Sequence, residues 1–108
     1  MFLYKNRIVI TGGSGRFGQV LKKESKNYKY NFYFPKKKEL NILKTISIKK
    51  YLKSKKPKYL FHLAGLSRPM NIHDKDISQS IEKNIIGTAN ITKICSDLKI
   101  KLIYMSTC

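Results

Sequence analysis

Three glycines at a spacing of three, Gly12, Gly15 and Gly18, separate a β-branched run from a stretch with helical spacing. The run is Arg7-Ile8-Val9-Ile10-Thr11, and the helical stretch carries Phe17, Val20 and Leu21 at i, i+3 and i+4. A strand that turns sharply into a helix presents free backbone N–H groups and the positive end of the helix dipole, an arrangement that holds a pyrophosphate. Side chains in such a turn would keep phosphates at a distance, so glycine permits the approach. Gly18 would let the new helix lie against the strand, and Arg16 and Phe17 stand at the exit of the turn. No Gly-Lys-Ser/Thr follows, which excludes the phosphate loop of nucleoside triphosphatases.

A second candidate region is Phe34-Pro35-Lys36-Lys37-Lys38, where no acid occurs before Glu39. At the end of the second strand of a dinucleotide-binding unit, a carboxylate accepts hydrogen bonds from the ribose 2′-hydroxyl. Lys36 and Lys37, with Arg16, suit a 2′-phosphate instead, so NADP is expected over NAD. A solvated lysine run in a lysine-rich chain is the competing reading. Tyr51-x-x-x-Lys55 has the spacing of a tyrosine–lysine acid/base pair. It precedes the third strand, however, and Tyr51 falls in a buried stripe, so it is set aside. His62 and His73 have no nucleophile or metal partner in the pattern; His62 is read as sitting at a strand end and His73 in a solvated loop. Cys95 and Cys108 form no C-x-x-C, and Cys95 reads as a small core residue.

The elements that must position these residues alternate. Strands are expected at residues 7–11, 30–34, 59–64 and 101–106. Helices are expected after the glycine turn, at residues 45–55 with Ile48, Tyr51 and Leu52 inward, and at residues 77–98. The long helix carries Ile81, Ile85, Ile91, Ile94, Cys95 and Leu98 as its apolar repeat. Alternation of strands and helices implies right-handed crossovers and a parallel sheet buried on both faces. The fold class is therefore α/β, a Rossmann-type three-layer α/β/α domain with strand order 2-1-3-4 and its glycine turn at the switch point.

With 108 residues the chain has room for one domain. Its net charge of +17 invites a nucleic-acid reading, but only three of the 23 basic residues are arginine and the lysines are scattered. Specific nucleic-acid binding is not expected. No apolar run is long enough to span a bilayer and the N-terminus lacks a signal-peptide pattern, so the expected location is cytoplasmic.

Four motifs in order give the chain a family resemblance. They are Ile10-Thr11-Gly12-Gly13-Ser14-Gly15-Arg16-Phe17-Gly18, Phe61-His62-Leu63-Ala64-Gly65, Asn84-Ile85-Ile86-Gly87-Thr88 and Tyr104-Met105-Ser106-Thr107. The set resembles the extended short-chain dehydrogenase/reductases that act on nucleotide sugars. The short link Glu39-Leu40-Asn41-Ile42 looks most like the dTDP-4-dehydrorhamnose reductase branch, with Asn41 where aspartate is usual. The resemblance implies that Leu63, Ala64 and Gly65 line the cofactor, as do Asn41 and Ile42. It implies that Asn84 and Gly87 set the long helix against the strands, and that Thr107 bonds the substrate oxygen beside the nicotinamide. It further implies a nucleotide-sugar substrate and a reductase or epimerase activity, and it is compatible with a homodimeric parent protein. A non-catalytic dinucleotide sensor is the alternative. The family's Tyr-x-x-x-Lys follows the fourth strand and is not in this sequence. Residues 1–108 are thus expected to be a Rossmann domain incomplete at its C-terminus, without a substrate-binding part and inactive alone.

Overall fold

A computed structural model describes residues 2–12, 16–65 and 74–107; the side chains of residues 16, 17, 64, 65, 74–80, 106 and 107 fall outside that description. The elements are β1 (Tyr4–Thr11), α1 (Arg16–Glu24), a 3-10 turn (Ser25–Asn27), β2 (Asn31–Tyr33), α2 (Thr45–Lys55), β3 (Pro57–Gly65), α3 (Asp74–Leu98) and β4 (Lys101–Thr107). All strand pairs are parallel and the sheet order is β2-β1-β3-β4, as expected. β1 and β3 start earlier than the apolar runs alone show, because the polar segment Tyr4–Arg7 and Pro57-Lys58 also enter the sheet.

Alternation along the strands sorts the core into two layers. Ile8, Ile10 and Leu63 face α1, where Leu21, Phe32, Phe34, Tyr59, Phe61 and Met105 pack around them. Val9 and Leu60 face the other way, onto Ile48 and Leu52 of α2 and Ile91, Ile94, Cys95 and Leu98 of α3. A strand covered on both faces must be apolar on both, which is why β1 and β3 read as continuous rather than alternating runs.

Three helix-face expectations need correction. Val20 of α1 is exposed, while Leu21 packs on the sheet. Tyr51 is half-buried beside the fully buried Ile48 and Leu52. In α3, Ile81 and Ile85 are exposed, whereas Gly87, Ile91, Ile94, Cys95 and Leu98 are buried. The cause is rotation about the helix axis: Ile91, Ile94, Cys95 and Leu98 share one face, whereas Ile85 and Ile81 stand six and ten residues before Ile91, about 120° and 80° around the helix from it.

Candidate nucleotide-binding cleft

At the C-terminal ends of β1 and β2 lies a cleft of about 500 Å³. Its walls bring together Gly12, Lys36, Lys37, Asn41 and Ile42, five of the expected site residues from separate parts of the sequence. Each is positioned by identifiable local physics. Gly12 has φ of +74°, a conformation that L side chains rarely adopt. A Cβ there would collide with the Leu63 carbonyl oxygen and stand 3.1 Å from the Leu63 carbonyl carbon. The missing side chain thus first admits the backbone of β3, which allows β1 to leave the sheet over its neighbour. Leu63 contributes that carbonyl; its side chain lies in the core against Ile8 and Ile10 and does not reach the cleft.

The segment after β2 folds back on itself. Leu40 and Glu39 donate their amides to the Lys36 carbonyl, and the Glu39 carboxylate accepts the Lys36 amide at 3.0 Å. The one acid near the lysine run is thereby used as a turn cap and is not part of the cleft wall. Asn41 closes the next turn: its Oδ1 accepts the Leu43 amide at 3.0 Å, while its own amide donates to Ser47 Oγ at 2.9 Å. Its Nδ2 makes no hydrogen bond among the described residues and faces no competition for a ligand. Ile42 is fastened to α3, because Asn90 Nδ2 donates to its carbonyl at 2.9 Å.

Gln19 and Lys22 of α1 and Lys83 of α3 also line the cleft, with Phe34 and Leu40 as apolar walls. Sequence reading singled out neither Gln19 nor Lys22 nor Lys83. Lys83 was findable, for it lies four residues before Gly87 and so shares the helix face that meets Ile42. Gly87 makes that meeting possible: a Cβ would stand 2.8 Å from Ile42 Cγ1 and 3.2 Å from Ile42 Cβ. The glycine thus packs the helix on the loop after β2 rather than on a strand. Four lysines from three parts of the chain face the cleft, and no carboxylate does among the described residues.

His62 does not sit at a strand end but within β3. It lies inside the sheet layer, 2% exposed, with Nδ1 2.7 Å from Thr11 Oγ1 and Nε2 3.1 Å from Thr88 Oγ1. Burial holds its pKa below the ordinary 6.5, so the ring is neutral at pH 7. Tyr51 and Lys55 are brought near one another, with Lys55 Nζ 5.9 Å from the Tyr51 ring and 4.9 Å from that of Tyr33. The Tyr51 phenol is pushed up to about 12, chiefly by burial and then by the charges of Glu39 and Tyr33. An acid/base tyrosine needs the opposite shift. Cys95 is buried in the α3 core layer, where burial raises its thiol to about 12.

The structure places Gly65 opposite Thr107, and Ala64 opposite Ser106, at the ends of β3 and β4. Gly18 is buried in α1. Gly15 lies outside the described residues, as do Gly13, Ser14 and His73, and the side chains of Arg16, Phe17 and Thr107 are likewise not described.

A family model described as the RmlD substrate binding domain aligns with residues 6–108. The chain belongs to the RmlD substrate binding domain family. Among curated relatives, this RmlD-family chain is 27% identical over 95 residues to GDP-L-colitose synthase from Yersinia pseudotuberculosis, covering 88% of this chain and 31% of the relative. Among solved structures it is similar to a dTDP-4-dehydrorhamnose reductase from Bacillus anthracis in complex with NADP. That similarity has a TM-score of 0.77 and 25% identity over 96% of this chain and 37% of the other. A GDP-L-fucose synthetase from Naegleria fowleri gives a TM-score of 0.73 and 25% identity over 99% and 32%. The RmlD-family chain spans about a third of the length of these relatives.

Proposed function

We propose that this chain is the cofactor-binding portion of an NADP-dependent nucleotide-sugar reductase, with the cleft as the seat of the adenosine end of the dinucleotide. The observation that carries the proposal is the composition of the cleft wall: Lys22, Lys36, Lys37 and Lys83 converge, and Glu39, the nearby acid, is held in a turn away from it. A 2′-phosphate adds two negative charges to the adenosine ribose, and ammonium groups on the wall bind it with charge-assisted hydrogen bonds. The glycine turn would hold the pyrophosphate on the N-terminal end of α1, with Gly12, Gly15, Arg16, Phe17 and Gly18 around it. Asn41 Nδ2 and the apolar Ile42 wall suit the adenine, which offers ring nitrogens as acceptors and a flat apolar face. Ala64 and Gly65, small residues at the end of β3, would line the cofactor there. The relatives named for reductions or syntheses of nucleotide-linked sugars, one of them bound to NADP, support the same reading.

When bound, the cofactor supplies a hydride. Thr107, at the end of β4, would donate a hydrogen bond to the oxygen of the sugar carbon that accepts it. Tyr51 would not supply the proton that completes the reduction, since it is not on the cleft wall and its phenol is pushed up by burial.

Titration of the chain with NADPH and with NADH at low salt tests the proposal. One well-placed ammonium gives NADPH about a tenfold advantage. Changing Lys36, Lys37 and Lys38 together to serine should remove most of that advantage and leave NADH binding nearly unchanged. Equal dissociation constants for the two cofactors would refute the preference.

A further inference from the structure

We propose that the edge of the sheet opposite the cleft, where the strands begin, is a docking surface for single-stranded nucleic acid, held by lysines and exposed aromatic rings without regard to base sequence. The proposal is independent of the cofactor reading, since it uses the other end of the strands.

The surface follows from the topology. All four strands are parallel, so their first residues share one edge, and each crossover helix returns the chain to it. β1 enters there as Tyr4-Lys5-Asn6-Arg7, and Tyr28-Lys29-Tyr30 precedes β2. The end of α2 and the start of β3 read Lys53-Ser54-Lys55-Lys56-Pro57-Lys58, and Lys99 and Lys101 stand at the start of β4. Lys5, Lys29, Lys53, Lys99 and Lys101 are exposed. Of the chain's six acids, Glu24 and Asp97 stand at the ends of α1 and α3 on this side. Glu24 accepts from Asn27 Nδ2 at 3.2 Å.

Lysines at helix C-termini answer the helix dipole, which accounts for Lys53, Lys55 and Lys56. It does not account for Lys5, Arg7, Lys58 and Lys101, which belong to strands. Like charges are also held together here rather than spread. Arg7 Nη1 donates to the Lys55 carbonyl at 2.8 Å, and the Tyr33 ring has the Arg7 guanidinium at 6.0 Å and Lys55 Nζ at 4.9 Å. The same guanidinium lies 4.1 Å from the Tyr4 ring, which meets the Phe2 ring edge-on at 5.4 Å. Rings brace the cations, and the edge presents a dense row of positive charge that attracts a polyanion.

The large apolar residues exposed at this edge, Phe2, Tyr4, Tyr28 and Tyr30, are all aromatic, whereas the exposed Ile46, Ile81, Ile85 and Ile86 stand on α2 and α3. Unpaired bases stack on flat rings while their phosphates meet ammonium groups. A lipid surface calls instead for an amphipathic helix lying in its plane, and this edge is made of strand starts and turns. Lysine supplies point charges rather than the fork that reads guanine, so the binding is independent of sequence.

Fluorescence anisotropy of a labelled oligouridylate of about ten nucleotides tests the proposal. Changing Lys5, Lys53 and Lys101 together to glutamine should weaken binding at low salt about tenfold or more, and make the logarithmic salt dependence shallower by about two. The same charge loss at Lys44, Lys49 and Lys50, nearer the start of α2, should weaken it less than about threefold. Tyr30→Ala should weaken binding about tenfold at an unchanged salt dependence, and Tyr30→Phe should retain affinity. Urea midpoints establish that each variant is folded. Equal losses in the two lysine variants, full affinity in folded Tyr30→Ala, or no oligouridylate binding by the wild-type chain overturns the proposal. Tighter binding to vesicles containing phosphatidylglycerol than to the oligouridylate also overturns it and assigns the edge to a membrane. Saturating NADPH should leave oligouridylate binding unchanged, and competition between the two would move the nucleic acid to the cleft and overturn the location.

Discussion

Replacing Gly87 by alanine sets two opposing terms against each other at one atom. In a helix interior alanine is favoured over glycine by about 1 kcal/mol. The new Cβ, however, would meet the Ile42 side chain, standing 2.8 Å from Cγ1 and 3.2 Å from Cβ. Ile42 cannot withdraw easily, since Asn90 holds its carbonyl at 2.9 Å and its side chain packs against the core of the α3 face. Overpacking of this kind costs about 1–3 kcal/mol. The balance is a net loss of about 1 kcal/mol, or a melting temperature lower by about 4–8 °C for a domain of this size. Shortening Ile42 to alanine removes the contact with Cγ1 and leaves only the 3.2 Å approach to Cβ, so in that background Gly87→Ala should stabilise by at most about the helix term. The coupling between the two positions is then at most about 2 kcal/mol, measurable as a double-mutant cycle by urea denaturation. A rise in melting temperature for Gly87→Ala in the wild-type background would refute the reasoning, for it would mean that helix preference outweighs the close approach.

The buried imidazole makes stability depend on pH. The unfolded chain protonates His62 near its ordinary pKa of 6.5 and the folded chain only at lower pH. Stability should therefore be level above pH 6.5 and fall below it, by at most about 1.4 kcal/mol per pH unit, until the folded ring also protonates. Urea midpoints from pH 7.5 to 5 read this, and an equal slope in His62→Asn would assign the effect elsewhere. Lys99, just after α3, adopts φ of 59° while the Ile100 amide reaches the Cys95 carbonyl at 2.8 Å. A lysine there bears the left-handed cost that glycine avoids, so Lys99→Gly should stabilise by about 0.5–1 kcal/mol. A lower melting temperature for that variant would show that loss of the side chain outweighs the relief.

The topology was legible because it rests on local signals: β-branched runs, a glycine turn, prolines and helical spacing, each within a dozen residues. Lys36 and Lys37 stand in one local run, whereas Asn41 and Ile42 came from the family resemblance; the cleft wall brings the four together. What escaped was non-local. His62 bonds to residues 51 and 26 positions away, and no pattern along one strand reports partners contributed by two other elements. Lys22 and Lys83 join the cleft only once α1 and α3 are docked. The exposure of Ile81 and Ile85 escaped because neither stands three, four or seven residues from Ile91, so the apolar repeat leaves the face that Ile91, Ile94, Cys95 and Leu98 bury.

Among the described residues the two faces of the sheet are covered unequally, by nine residues of α1 on one side and by both α2 and α3 on the other. Free energies of local opening follow buried apolar contact, so amide exchange in α1 should proceed through small, frequent openings, whereas the central strands and the second half of α3 should exchange only on global unfolding. Gln19 and Lys22 belong to this less protected helix and also form one wall of the cleft. Each opening of α1 removes that wall. A ligand seated against it must supply the free energy that keeps the helix down, and its measured affinity is lowered by whatever fraction of molecules have α1 detached.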